Sequence, residues 1–443
     1  MASRPPSRLG RLARLGRLTT KVTGSYVGER VKDAIRGSQL GQKARDKLHI
    51  ENAERLVDAM GQLKGAAMKV GQSMAMAARS MDLPPEVAER LAKLNKDAEP
   101  VPFEVIKEEI ERELEMPLEQ AFRSLDPKPI GTASLAQAHG AIMHDGTDVV
   151  IKVLHRGIED GVATDLLALK AMLIGSRVLR RDRGEIDGAF AEIQARLYEE
   201  LDYLQEAANI HAFHHQWKDD PDVRVPRVHG SHSTERVLTM DRMPGVHVDI
   251  FARTGTDEAK QRAGATMARM YYVMAFRNRT LHADPHPGNY MFEEDGRVGL
   301  LDFGCVKRFD EFWIGRYCKI ARAALNGDRE ETLEQCRQMG VLVGHNAQSA
   351  DVLWSFCCAL VHHMQVGGFR LGTSEDTIVQ DMKPAARSLA GHPDIRVPPD
   401  VIFLHRALGG IYSISKRLHP QIDPRALFDE HGTYAIRRAD GHA

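Results

Sequence analysis

The chain has 443 residues, 43% of them hydrophobic, with 60 basic against 61 acidic side chains. That supports a large core and about two or three domains, and the near-zero net charge excludes a nucleic-acid binder driven by bulk electrostatics. Five cysteines without a C-x-x-C pair point to reduced, mostly buried thiols, and no apolar run approaches the roughly 18 residues of a membrane span.

Residues 1–48 form a basic arm. Its first 28 residues carry six Arg or Lys, no acid and no apolar core of a secretory signal. Arg and Leu recur every three residues from Arg8 to Leu18, so no single helical face stays apolar. Such an arm reads as partly disordered, with a contact to an anionic membrane surface or lipid, or a mitochondrial transit peptide, as alternatives. Residues 49–120 are a helical extension. Leu56, Met60, Leu63, Ala67, Val70 and Met74 make its apolar stripe, while Lys69 and Gln72 lie off that stripe. Met68, Met74, Met76 and Met81 suit core packing or a soft apolar surface. Another helix runs from about Phe103 to Glu115 and stops before Pro117.

Residues 121–243 change to a strand pattern. One run is Ser134–Met143, and a second is Asp148–Leu154, with Asp145-Gly146 between them as the hairpin signal. Val149, Ile151 and Val153 share one face, and Val150, Lys152 and Leu154 the other. Helical patterns cover 158–179 and 188–210, and a strand at 236–240 ends before Pro244-Gly245. Residues 244–443 are mainly helical, with a hairpin over 290–301 turned at Asp295-Gly296. The expected fold is α+β: a strand-containing lobe, a crossover and a helical lobe, preceded by the extension.

Chemistry concentrates in four places. Lys152 sits on a strand in V-V-I-K-V, as the phosphate-binding lysine of protein kinases does, and Glu206 on a later helix is its candidate partner. In His282-Ala283-Asp284-Pro285-His286-Pro287-Gly288-Asn289, Asp284 and Asn289 have the D-x-x-x-x-N spacing of a kinase catalytic loop. Two prolines and a glycine make a helix there implausible. Asp284 suits a base or orienter, and Asn289 a Mg²⁺ ligand. Asp302-Phe303-Gly304 follows the hairpin, with Asp302 as the principal metal ligand. The loop over the nucleotide departs from the kinase pattern. Ile130, Gly131, Thr132, Ala133 and Ser134, with Ala138 beyond them, carry one glycine where G-x-G-x-x-G has three. Ala283 also stands where the H-R-D arginine belongs.

Four motifs resemble the UbiB/AarF-type atypical kinases, which include the coenzyme-Q-linked kinases of mitochondria. They are K-x-G-Q at Lys69–Gln72, the Ala/Ser-rich loop ending S-L-A-Q-A-H at Ser134–His139, E-L-D-Y-x-x-E-A-x-N at Glu200–Asn209, and H-A-D-P-H-P-G-N at His282–Asn289. The resemblance covers residues 50 to 310 closely. It implies a two-lobed protein-kinase-like fold that binds ATP with Mg²⁺ and acts as an ATPase or unorthodox kinase in isoprenoid-quinone metabolism. Quinone-biosynthesis proteins are the implied partners. The implied location is cytoplasmic or peripheral to a membrane, on the matrix side if mitochondrial. The resemblance also places the K-x-G-Q helix over the cleft, with Lys69 and Gln72 meeting Glu200 and Asp202. Residues i and i+2 point about 200° apart on one helix, so Glu200 and Asp202 require a helix start or bend there, or separate partners. A nucleotide-gated scaffold and a small-molecule phosphotransferase are the alternatives. His211, His214 and His215 have metal-compatible spacing without an acid or Cys to complete a site, and read as surface histidines.

Overall fold

The computed structural model describes residues 100–133, 135–159, 162–163, 166–167, 170, 183–365, 367–389, 391–392 and 394–441. The basic arm, the helix with Lys69 and Gln72, the methionine cluster and Ser134 lie outside them. The chain divides into two compact units, Met1–Ala207 with Val228–Arg242, and Ala208–Arg227 with Met243–Ala443.

In the first unit, α1 (Phe103–Leu114) and α2 (Leu118–Ala121) precede strands β1 (Ser124–Thr132), β2 (Ala136–Ile142) and β3 (Asp148–Leu154). Helix α1 follows Pro102 and ends at Glu115, which takes the left-handed conformation. Its residues Ile106, Ile110 and Leu114 recur every four positions and form one buried face. That face packs on Val149, Ile151 and Val153 of β3, together with Ala141, Val237 and Phe122. Each fully buried apolar side chain of this kind contributes about 1.5–3 kcal/mol. The sheet therefore has one face covered by α1, and Lys152 projects from the opposite one.

Strand β1 corrects the expectation that residues from Gly131 onward form a loop ahead of the first strand. Ile130, Gly131 and Thr132 belong to β1, which pairs antiparallel with β2. Pro127 and Pro129 hide the strand in the sequence, because proline cannot donate to a ladder. It is tolerated here because β1 is the edge strand of its sheet and the register slips on both sides of Pro129. Ala133 N bonds Ala136 O and closes the connection tightly.

Two helices follow, α3 (Arg183–Glu199) and α4 (Tyr203–Trp217). The single helical pattern expected over 188–210 is thus broken at 200–202. Asp202 explains the break: its Oδ1 accepts the Gln205 N–H at 2.9 Å and starts a new helix. The unit boundary falls inside α4. Strands β4 (Val223–Arg224) and β5 (Val237–Asp241) come next, and β5 completes the first sheet beside β3.

The second unit contains α5 (Val248–Thr254), α6 (Asp257–Tyr272), β6 (Thr280–His282), β7 (Tyr290–Phe292), β8 (Val298–Leu300) and β9 (Val306–Arg308). Helices α7 (Glu311–Leu325), α8 (Arg329–Gln338) and α9 (Ala347–Gln365) follow. Then come β10 (Phe369–Arg370), α10 (Ile378–Ser388), α11 (Pro399–Ser415), β11 (Gln421–Ile422), α12 (Pro424–Leu427) and α13 (Thr433–Ala439). The β7–β8 hairpin turns at Gly296, whose φ of 89° needs glycine. Strands β6 and β9 pair antiparallel and bracket the H-A-D-P-H-P-G-N and D-F-G segments. All five cysteines are free thiols, and Cys318, Cys336 and Cys357 are buried. No helix among the described residues is long and apolar enough to cross a membrane.

Candidate active site

Within the first unit, Lys152 heads a rank of residues that run straight across the sheet. Gly131 of β1 pairs with Ala138 of β2, Ala138 with Lys152 of β3, and Lys152 with Leu238 of β5. Residues directly opposite one another project from the same face. The two neighbours on the β1 side of Lys152 are therefore a glycine and an alanine, which keep that face low. Among the described residues, a Cβ added to Gly131 would meet nothing within 4 Å. Ile130 is exposed.

The Lys152 ammonium is fixed by α4. Its Nζ donates to Glu206 Oε1 at 2.6 Å and lies 5.9 Å from the centroid of the Tyr203 ring. Glu206 is only 4% exposed, so this is an ion pair in a largely dry setting. Removing the cation from a buried carboxylate is costly, which makes the two side chains position each other. Glu200 and Asp202 lie in the turn between α3 and α4, with Glu200 half-buried and Asp202 exposed. Because no continuous helix passes through them, the 200° separation does not apply. Lys69 and Gln72 lie outside the described residues.

In the second unit the backbone does the positioning. Ala283 N donates to Cys305 O at 2.9 Å, which joins the segment before Asp284 to the one after Asp302-Phe303-Gly304. Asp284 O accepts two bonds, from His286 N at 2.7 Å and from Asn289 Nδ2 at 2.9 Å. The Asn289 amide nitrogen also stands 3.3 Å from Asp284 Oδ2. With its nitrogen turned to Asp284, Asn289 offers its Oδ1 as the acceptor for a cation. A short 3₁₀ turn at Pro287–Asn289, started by Gly288 N on His286 Nδ1, sets the loop's curvature. Asp284 itself is exposed.

Asp302 is half-buried and accepts the Gly304 N–H on Oδ1 at 3.0 Å. Its carbonyl accepts a bond from His282 Nε2, which fixes the imidazole between the two motifs. Phe303 is fully buried against Phe213 and His282. Asn209, also buried, donates to Phe303 O at 2.9 Å and accepts from Arg308 at 3.1 Å. Sequence reasoning gave no role to His282 or Asn209, although both end or begin a quoted motif. Tyr290 follows Asn289 directly, and burial raises its hydroxyl pKa, with the Asp284 carboxylate pushing the same way. His211 and His215 are exposed, and among the described residues no group of three His, Cys, Asp or Glu could hold a metal ion.

A strand lysine paired with a helix glutamate, and a D-x-x-x-x-N loop joined by β6–β9 to a D-F-G segment, define a protein-kinase-like phosphotransferase. Residues 93–336 match the ABC1 atypical kinase-like domain, and the chain belongs to that family, the UbiB/AarF-type atypical kinases. It is 28% identical over 453 residues to "Atypical kinase COQ8B, mitochondrial" of Rattus norvegicus, covering 98% of this chain and 82% of the relative. It is 26% identical over 438 residues to "Atypical kinase COQ8, mitochondrial" of Saccharomyces cerevisiae, covering 98% and 87%. The fold is similar to that of Rv3197 from Mycobacterium tuberculosis, solved as a complex with erythromycin. That match has a TM-score of 0.61 and 26% identity, over 88% of this chain and 97% of the other.

Proposed function

We propose that this atypical kinase binds ATP with Mg²⁺ and hydrolyses it or transfers its γ-phosphoryl group in support of ubiquinone metabolism. The observation that carries the reading is the Lys152–Glu206 ion pair at 2.6 Å. A cation held this way, beside the small residues Gly131 and Ala138, suits the α- and β-phosphates of a nucleotide. Ile130, Gly131, Thr132, Ala133, Ser134 and Ala138 are the proposed nucleotide-contacting residues.

The donor set fits Mg²⁺. Asp302 offers a carboxylate and Asn289 an amide oxygen, both hard ligands. Mg²⁺ is commonly held by one or two carboxylates together with substrate phosphates, so two protein oxygens suffice for an ion shared with ATP. Asp302 and Asn289 would hold the ion, which would supply neutralisation of phosphate charge. Asp284 orients the attacking hydroxyl or water and takes up its proton. Asn289 holds Asp284 in place through Nδ2. Glu206 holds the Lys152 ammonium on the phosphates. Glu200 and Asp202 are proposed to receive Lys69 and Gln72 of the extension, which restricts what can approach as an acceptor.

The names of the relatives place them in mitochondria, and a quinone-linked, membrane-peripheral role for this chain rests on that kinship. The basic arm adds an anionic lipid surface as a partner, at about 1 kcal/mol for each basic residue near the membrane. The nucleotide reading is tested by thermal shift with ATP, with and without Mg²⁺, on the wild type and Asp302→Asn. A ligand at 100 times its Kd stabilises by about 2.7 kcal/mol. The wild type should gain this only with Mg²⁺, and Asp302→Asn should lose the Mg²⁺-dependent part at unchanged intrinsic stability. An equal Mg²⁺-dependent shift in both proteins would remove Asp302 from the site.

A further inference from the structure

Asp284 lies between two contacts made by one helix near the C-terminus. Arg406 of α11 donates from Nη2 to Ala283 O at 2.6 Å. One turn later on the same helix, Gly410 faces Pro285. A Cβ there would overlap the proline ring and stand 2.9 Å from Pro285 O. Positions i and i+4 of a helix lie on one face, so α11 grips the residue before Asp284 and the residue after it at the same time.

Several features make α11 rigid enough for this. Its inward stripe of Leu404, Ala407, Ile411 and Ile414 is buried. Asp400 at its first turn pairs with Lys307 of β9 at 2.6 Å. Tyr271 of α6 donates to Leu404 O at 3.3 Å. The Arg406 guanidinium also lies 5.1 Å from the centroid of the Phe403 ring, which limits its rotamers. Ala283 then has both backbone polar groups engaged, N–H on Cys305 O and C=O on Arg406. The loop has alanine where H-R-D carries arginine, and here a guanidinium reaches the backbone of that alanine from 123 residues further along the chain.

We infer that Arg406 and Gly410 are positioning residues for the phosphoryl-transfer step, holding Asp284 in register from α11. The inference rests on the proposed role of Asp284. Loss of the grip leaves the nucleotide contacts of Lys152 and Asp302 intact but displaces Asp284, so it lowers kcat by more than it raises KM, to which Asn289 of the same loop contributes. A charge-assisted bond to a backbone carbonyl is also one that lysine can partly remake.

The test uses the full chain as wild type, Arg406→Met, Arg406→Lys and Gly410→Ala. It reads kcat and KM for Mg²⁺-ATP, together with hydrogen exchange over residues 280–292 without nucleotide. Arg406→Met should lower kcat by roughly tenfold to a hundredfold, with KM raised by a much smaller factor and faster exchange in the loop. Arg406→Lys should recover part of both losses. Gly410→Ala, which pushes on Pro285 rather than releasing Ala283, should lower kcat independently and decides the matter if Arg406→Met does not fold. Unchanged kcat and exchange in the Arg406→Met and Gly410→Ala proteins overturn the inference, as does a rise in KM at constant kcat. Absence of Mg²⁺-dependent turnover in the wild type defeats the functional reading instead. The exchange data still report whether α11 holds the loop.

Discussion

Lys152 and Asp284 are held in place by different physics. In the first unit, a flexible lysine is held by a side-chain ion pair to Glu206, 54 residues away. In the second, Asp284 stands on a segment whose own backbone atoms are bonded at Ala283 N, Ala283 O and Asp284 O. A side-chain anchor concentrates its energy in the charged contacts of a single side chain. A backbone anchor spreads it over several bonds, the neutral ones worth about 1 kcal/mol net each and the charge-assisted one from Arg406 more.

The sharpest way to break the first anchor is Lys152→Met. It leaves Glu206 buried without the lysine, which should cost about 3 kcal/mol of stability and lower ATP turnover by roughly a hundredfold or more. Adding Glu206→Gln to Lys152→Met should restore most of the stability and none of the turnover, measured by urea titration beside the ATPase assay. A single mutant as stable as wild type would show that the pair is not the anchor.

Acid should distinguish the units next. Burial holds His405 and His363 of the second unit down at about 4, below the ordinary 6.5, the neighbouring His362 adding to the shift for His363. Unfolding frees them to bind protons between these values. Their contribution is therefore present above pH 6.5 and is lost as pH falls toward 4. For His405, whose Nε2 meets Tyr317 Oη at 2.8 Å, partial exposure brings this to about 1–2 kcal/mol. The melting temperature should fall less steeply between pH 7 and 4 in His405→Phe than in wild type. Parallel curves would remove this histidine as a source of acid sensitivity.

Gly131→Ala is the smallest perturbation. Its Cβ would enter open space, and stability should move by less than about 0.5 kcal/mol. If nucleotide lies over the Gly131–Ala138–Lys152 rank, ATP affinity should nevertheless change, read by competition with a fluorescent nucleotide. Unaltered affinity would place the phosphates away from this rank.

The same contrast explains what could be read from the sequence. Asp284 through Asn289 and Asp302 through Gly304 use neighbouring residues to shape their own backbones, so consecutive letters carry the geometry. The alternation of Val149, Ile151 and Val153 likewise announced the buried face of β3. The Lys152–Glu206 pairing was legible only with kinase chemistry in mind. Other features stayed hidden because their causes are distant or local exceptions. Pro127 and Pro129 masked an edge strand, and Asp202 ended a helical pattern by capping the next one. No local pattern marks Arg406, because its partner Ala283 lies 123 residues away in the chain.

Asp284 is proposed to serve phosphoryl transfer on a nucleotide bound with Mg²⁺. Turnover of γ-labelled ATP, following both released phosphate and label incorporated into protein or added lipid, tests it most directly in wild type and Asp284→Asn. Wild type should show Mg²⁺-dependent turnover, and the variant a loss of roughly a hundredfold to ten-thousandfold with ATP affinity retained. Equal turnover by the two proteins would contradict it.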